Sequence, residues 1–167
     1  SIPVIDEAVP PEQWRLSPPG LEGAATVPAL LPAGALLVAS TEPKAIQTLE
    51  PAGAPQTDAR FVEVRRENEP FGGNFRELRL AYVGGADRPD WEPHDEVVAR
   101  FGDGIADWQR QAGDRALVVA SHGMAMTTWL AATVGLPEPA AFWSDLRMPD
   151  VFRVDLDAGT VERVAAA

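Results

Sequence analysis

Ala116-Leu117-Val118-Val119-Ala120-Ser121-His122-Gly123-Met124 is the stretch on which the fold turns. Its first five residues are apolar without a break. A short run that is apolar on both faces suits a central strand of a parallel sheet covered by helices. Gly123 lets the chain turn sharply into a helix expected from Met124 to about Val134, ended by Gly135 and Pro137. Strand running straight into helix is the repeating unit of an α/β protein. In open α/β sheets, sites form beyond the carboxyl ends of the strands. His122 therefore falls where the next helix offers N–H groups and a positive dipole end to an anion. Local pattern alone leaves it between a phosphate contact and a structural histidine closing a strand. Ser121 and His122 are not a nucleophile–base pair, since adjacent strand residues point to opposite faces. No G-x-S-x-G is present, which argues against an α/β-hydrolase.

The same alternation extends outward. Leu36-Leu37-Val38-Ala39-Ser40 reads as a buried strand, followed by a helix from Pro43 through Glu50 that Pro51 to Pro55 closes. Phe61-Val62-Glu63-Val64 is a further strand candidate. Ser17-Pro18-Pro19 starts a helix expected to reach about Leu31, because serine caps and proline suits the first turn. Asn74 to Tyr82 reads as helix. Pro93 to Gln111 is the longest helix, with Val97, Val98, Phe101, Ile105 and Trp108 on one face and Gly102 and Gly104 weakening it. Val151 to Leu156 and Thr160 to Val164 form strands around the turn Asp157-Ala158-Gly159. The order predicts a single domain over 1–167: a three-layer α/β/α sandwich with a mostly parallel central sheet. Residues 67–91, with Gly72-Gly73 and Gly84-Gly85, form a short cap or insert.

Composition narrows the function. The chain has 167 residues, 46% hydrophobic and 23% charged, enough for a packed core. The net charge of -11 opposes binding to a phosphate backbone, so no nucleic-acid partner is expected. Cysteine is absent, and the two histidines, His94 and His122, exclude a three-histidine metal site. No metal and no cofactor are expected. No apolar run approaches the roughly 18 residues of a membrane span, and the first residues lack the form of a signal peptide. The expected setting is the cytoplasm, without membrane association. Lys44 is the single lysine beside 13 arginines.

Five segments in order resemble the histidine phosphatase superfamily, the phosphoglycerate-mutase-like proteins. Ser40-Thr41-Glu42-Pro43-Lys44-Ala45-Ile46-Gln47-Thr48 is similar to the family's S-x-x-x-R-A-x-Q-T. Val118-Val119-Ala120-Ser121-His122-Gly123 resembles its V-x-S-H-G, and Phe61-Val62-Glu63 its L-x-E. Trp14-Arg15-Leu16-Ser17-Pro18-Pro19-Gly20 with Ala24 resembles L-T/S-x-x-G-x-x-A, and Trp91-Glu92 through Arg100 resembles G-E-S…R.

The resemblance implies a phosphomonoester hydrolase or phosphoryl-transfer enzyme working through phosphohistidine on a small phosphorylated substrate. Donors and cations around the phosphoryl oxygens carry most of such catalysis. By position, Lys44 stands where the family has arginine, keeping the charge and losing the bidentate fork. His122 and the Gly123 N–H would hold phosphoryl oxygens. Glu63 would be the general acid and later the base for water, with Glu67 and Glu69 close enough to compete. Arg66 is a substrate-contact candidate or a surface arginine. His94, at a helix start, is expected to be solvated, and Trp91 to be packing. The pocket should be locally cationic despite the acidic chain. The short cap favours a phosphatase over a mutase.

One departure stands out. The family's Arg-His-Gly on a first strand, which carries the nucleophile, is not among these residues. Ser1-Ile2-Pro3 resembles the continuation of such a motif, so the nucleophile is expected just upstream of Ser1. Its strand would be central, beside the one ending at His122. The alternative is a catalytically inactive member binding a phosphorylated ligand or a protein partner. An in-frame Arg-His before Ser1 would argue against that alternative. Oligomeric state is not written in the sequence.

Overall fold

The computed structural model describes residues 1–70 and 72–165. Phe71, inside the expected cap, and the last two residues of the expected domain lie outside them. In chain order the elements are α1 (Pro18–Ala24), β1 (Leu36–Ala39), α2 (Pro43–Leu49), β2 (Gln56–Thr57), α3 (Phe75–Val83), α4 (His94–Ala112), β3 (Leu117–Ala120), α5 (Gly123–Val134), α6 (Pro139–Ser144), β4 (Phe152–Asp155) and β5 (Thr160–Arg163).

The α/β sandwich is as expected. β2, β1 and β3 form a parallel sheet in that order, with Leu36 opposite Leu117 and Ala39 opposite Ala120. Successive strand residues serve different layers. Leu36, Val38, Leu117 and Val119 pack into the larger core with Val97, Phe101 and Trp129 of α4 and α5. Leu37, Ala39, Val118 and Ala120 pack into the smaller core with Val27, Ala45 and Leu49. Helices on both faces make three layers. β4 and β5 form a separate antiparallel hairpin, with Asp155 opposite Thr160 and Gly159 at φ +66° in the turn.

Three expectations change. First, among the described residues β1 is the middle strand, and the outer edge of β3 pairs with none of their strands. Apolarity on both faces reports helices above and below a strand, not strands on either side of it. Second, the first helix stops at Ala24, and a 3₁₀ segment covers Val27–Leu30. Pro28 has no N–H to give the Ala24 carbonyl, so the α-helical pattern cannot continue.

Third, Phe61-Val62-Glu63-Val64 is not a strand. Ala59–Phe61 is a 3₁₀ turn, and the paired strand is β2, just before it. Side chains take the backbone groups that a ladder would use. Arg100 Nη1 donates to the carbonyls of Arg60 (2.6 Å) and Val62 (2.9 Å), and Ser121 Oγ donates to that of Phe61 (2.8 Å). The N–H groups of Glu63 and Val64 go to the carboxylates of Glu42 and Glu63. The apolar alternation predicted burial correctly, since Phe61 and Val64 are buried. It could not tell who satisfies the backbone.

Two glycines fix close approaches. A Cβ on Gly20 would lie 2.1 Å from the Ile2 carbonyl oxygen, so the opening segment sits directly on α1. Ser17 caps that helix, accepting from Gly20 N–H at 3.2 Å and donating to Ile2 O at 2.9 Å. The second, Gly123, belongs to the site.

Candidate active site

The carboxyl ends of β1 and β3 lie side by side, because their registers run parallel to Ala39 and Ala120. Ser40 follows the first and His122 the second. His122 Nε2 sits 2.9 Å from Ser40 Oγ, and both residues are buried. The loop after β1 then turns into α2. Pro43 suits the first turn, and Glu42 takes the position before it with extended backbone.

Glu42 is the centre of the cluster. Its Oε1 accepts from the Glu63 N–H at 2.8 Å and lies 3.2 Å from His122 Nε2. Its Oε2 accepts from Lys44 Nζ at 2.5 Å, and Lys44 also donates to Pro11 O at 2.7 Å. Lys44 is therefore not a solvated surface lysine. Three elements converge on one carboxylate: the end of β3, the first turn of α2, and the loop at residue 63.

Glu63 occupies the amino end of α5. Its Oε1 accepts from Ala125 N–H at 2.8 Å and its Oε2 from Met124 N–H at 3.3 Å. A carboxylate there answers the helix dipole and two of its unpaired donors. Burial alone would raise the Glu63 pKa. The charges of Arg66 and His122 and the N–H groups of Val64 and Ala125 outweigh it and hold the carboxyl below its ordinary value. Burial pushes the His122 imidazole below its ordinary value, against the pull of Glu42 and Glu63.

Gly123 opens α5. A Cβ there would meet Trp143 Nε1 at 3.1 Å and Leu146 Cδ1 at 3.2 Å, so the helix start is packed against α6 and the residues just beyond its end. Arg66 is largely buried, not a surface arginine: Nε pairs with Glu69 Oε2 at 3.0 Å, and Nη1 donates to Val64 O at 2.7 Å. Arg79 holds the other Glu69 oxygen at 2.7 Å. Glu69 is thus committed to two arginines, while Glu67 is exposed. The cluster is not the cationic pocket expected from the sequence: Lys44 is paired with Glu42, Arg66 and Arg79 with Glu69, and the Glu63 carboxylate stands beside them.

His94 differs from expectation. It is half-buried rather than solvated, stacked on Tyr82 at 4.1 Å with Nε2 2.8 Å from Tyr82 O. It stands on α4, outside the cluster. Trp91 is core, as expected. Hollows of about 350 Å³ beside β4 and about 200 Å³ beside His94 are lined by neither His122, Lys44 nor Glu63.

Three contributors escaped the sequence. Glu42 occupies an unspecified position of its motif, and a glutamate before a helix normally reads as solvated. Arg100 and Glu92 lay inside a resembling segment without a role. Here they form a buried pair at 2.7 Å that clamps the carbonyls of the Glu63 loop. The only signal for Glu42 was its position two residues before the sole lysine.

A polar cluster at the carboxyl ends of parallel strands is the layout of an α/β enzyme. The chain belongs to the histidine phosphatase superfamily (branch 1), whose family model matches residues 11–165. Similar solved structures include a mycobacterial glucosyl-3-phosphoglycerate phosphatase with inorganic phosphate (20% identity, 79% of this chain and 74% of that chain, TM-score 0.61). A phosphoserine phosphatase mutant of Entamoeba histolytica with phosphoserine is another (15%, 92% and 84%, 0.65). Bacillus stearothermophilus YhfR is a third (17%, 92% and 84%, 0.67). At these identities the likeness concerns the fold. No curated protein matches the chain in sequence. No helix among the described residues is long and apolar enough to cross a membrane.

Proposed function

We propose that the protein is a phosphatase acting on small phosphomonoesters, with His122 and Lys44 holding the phosphoryl oxygens. One observation carries this reading: His122 Nε2, Lys44 Nζ and the Glu63 N–H converge on the two oxygens of a single carboxylate, at 3.2, 2.5 and 2.8 Å. Donors that close on one oxyanion form the kind of pocket that stabilises phosphoryl charge. Membership of the superfamily supports the reaction class. The phosphatases among the structural neighbours support a small phosphorylated substrate.

In the family's chemistry the phosphoryl group passes from the ester oxygen to a histidine nitrogen, and the leaving alcohol takes a proton. Water then attacks phosphorus, the P–N bond breaks, and inorganic phosphate is released. Glu63 is the proton carrier in this reading. It is poised as a carboxylate, suited to receive a proton from water. An incoming phosphoryl dianion raises its pKa by like-charge repulsion and so favours the protonated form needed for the leaving group. Gly123 adds a backbone donor, and Arg66 stands behind Glu63. Residues 67–91, with α3, serve as the cap over the rest of the substrate. The Arg-His-Gly motif that carries the family's nucleophile is not among the 167 residues.

The test is hydrolysis of p-nitrophenyl phosphate by the full natural protein, beside His122→Ala and Glu63→Gln. Both variants are expected to lose at least about a hundredfold in kcat/KM, the usual range for such groups. Undiminished turnover in both would overturn the site.

A further inference from the structure

The buried carboxylate at the centre of the cluster has no part in the reaction above. Glu42 is 5% exposed, and its burial is compensated by two donors, Lys44 Nζ and the Glu63 N–H, with His122 Nε2 3.2 Å away, rather than by solvent. It stands before the first turn of α2, where an acidic side chain would ordinarily fold back onto its own helix. It makes no such cap and reaches across to His122, Lys44 and the Glu63 N–H instead.

We propose that Glu42 is a built-in competitor for the phosphoryl site, a tethered carboxylate whose displacement is required before a phosphoryl group engages Lys44 and His122. The proposal rests on the phosphate-binding reading of those two residues. Its chemistry is simple. A carboxylate and a phosphoryl group both present oxygens to the same kinds of donor. Lys44 Nζ already spends two of its three donors on Glu42 and on Pro11 O. A phosphoryl oxygen within hydrogen-bond reach of Lys44 and His122 would also lie close to a negative oxygen that those same donors hold. Like charges at such distances repel strongly, the more so where both are buried. The ligand therefore gains the donors only if Glu42 swings away, as Glu42's side-chain torsions permit while its backbone stays fixed by the Glu42 N–H to Ser40 Oγ bond at 3.2 Å. Affinity for the product, inorganic phosphate, is lowered by the same competition, which favours product release.

A structural or positioning role predicts the opposite sign. If Glu42 serves to hold Lys44 and His122 ready, neutralising it weakens phosphate binding. The experiment is titration of inorganic phosphate into the protein, followed by calorimetry or ³¹P NMR, for the unaltered chain, Glu42→Gln, His122→Ala and Lys44→Met. Glu42→Gln keeps the shape and an acceptor for the Glu63 N–H while removing the charge. It is expected to tighten phosphate binding by about tenfold or more. His122→Ala and Lys44→Met are expected to weaken it. Unchanged or weaker binding in Glu42→Gln, with the other two variants weakened, overturns the competitor while leaving the site. Unchanged binding in His122→Ala and Lys44→Met overturns the site reading itself. Should Glu42→Gln fail to fold, Glu42→Asp keeps the charge but withdraws it by one methylene. Its phosphate affinity is expected to rise by a smaller factor, and no rise overturns the proposal.

Discussion

Arg100 and Glu92 face each other at 2.7 Å and 3.0 Å beneath the loop that carries Glu63. The Glu92 carboxylate side chain is fully buried, and it also accepts from Arg65 N–H at 3.1 Å. The guanidinium fork does two things at once: it neutralises Glu92 and caps the carbonyls of Arg60 and Val62.

Removing that fork leaves two carbonyls without their donor and the buried Glu92 carboxylate with Arg65 as its remaining partner. Arg100→Met is expected to destabilise the protein by about 3–5 kcal/mol, read from urea or thermal unfolding. Arg100→Lys should recover little, because an ammonium cannot reproduce the planar two-sided contact. Wild-type stability in Arg100→Met would show that the loop is held by something else.

The two glycines of α4 are expected to respond in opposite directions. A Cβ on Gly104 would lie 2.8 Å from Phe61 Cζ, and that ring is itself wedged edge-on against Phe101 at 5.0 Å. Gly104→Ala therefore overpacks the core and should cost about 1–3 kcal/mol. A Cβ on Gly102 would meet Trp129 Nε1 at an ordinary 3.6 Å. Gly102→Ala should stabilise by about 0.5–1 kcal/mol through helix propensity. Thermal unfolding of both variants checks the pair, and a shared sign would contradict this packing.

His122 titrates low. Burial is the main cause, opposed by the neighbouring carboxylates. Its folded pKa lies below the unfolded value of about 6.5, so the unfolded chain binds the proton first. The contribution is complete above that value and declines as pH falls through the folded pKa. An imidazole NMR titration should give a midpoint below 6.5, and a midpoint above it would contradict the buried environment.

Acid sensitivity has a second, separable source. The Arg60 side chain, with its backbone N–H and the Trp108 indole, lowers Asp58 to about 2 against the cost of burial. Depressed from 3.8, it stabilises the fold above that pH and loses the contribution as pH falls toward about 2. Asp58→Asn should flatten the stability profile across that window. An unchanged slope there would remove Asp58 from the acid response.

The parallel sheet was legible because β1 and β3 are uninterrupted apolar runs that end in a turn to helix. The placement of His122 was legible because it follows a strand end, whereas Lys44 was singled out only by likeness to a family motif; the structure brings both beside Glu42. Glu63 was singled out by likeness to the family's L-x-E, and the strand read from its apolar neighbours is not formed. The run buries Phe61 and Val64, yet the backbone is satisfied by Arg100, Ser121 and two glutamates. Apart from Glu63 itself, these partners stand 21 to 60 positions away, and no local pattern encodes them. Glu42 was hidden for the same reason: its charge is answered by β3, α2 and the loop together.

The ladder between β1 and β3 has a consequence beyond packing. Ser121 reaches sideways to Phe61 O while His122 turns to Ser40, because neighbouring residues leave the strand on opposite sides. Sliding β3 by a single residue against β1 would exchange the contents of the two cores and carry the imidazole to the wrong side of the sheet. Misalignment thus loses the packing and the His122–Ser40 contact in one step. The register that fills both cores is therefore the same register that sets His122 beside Ser40.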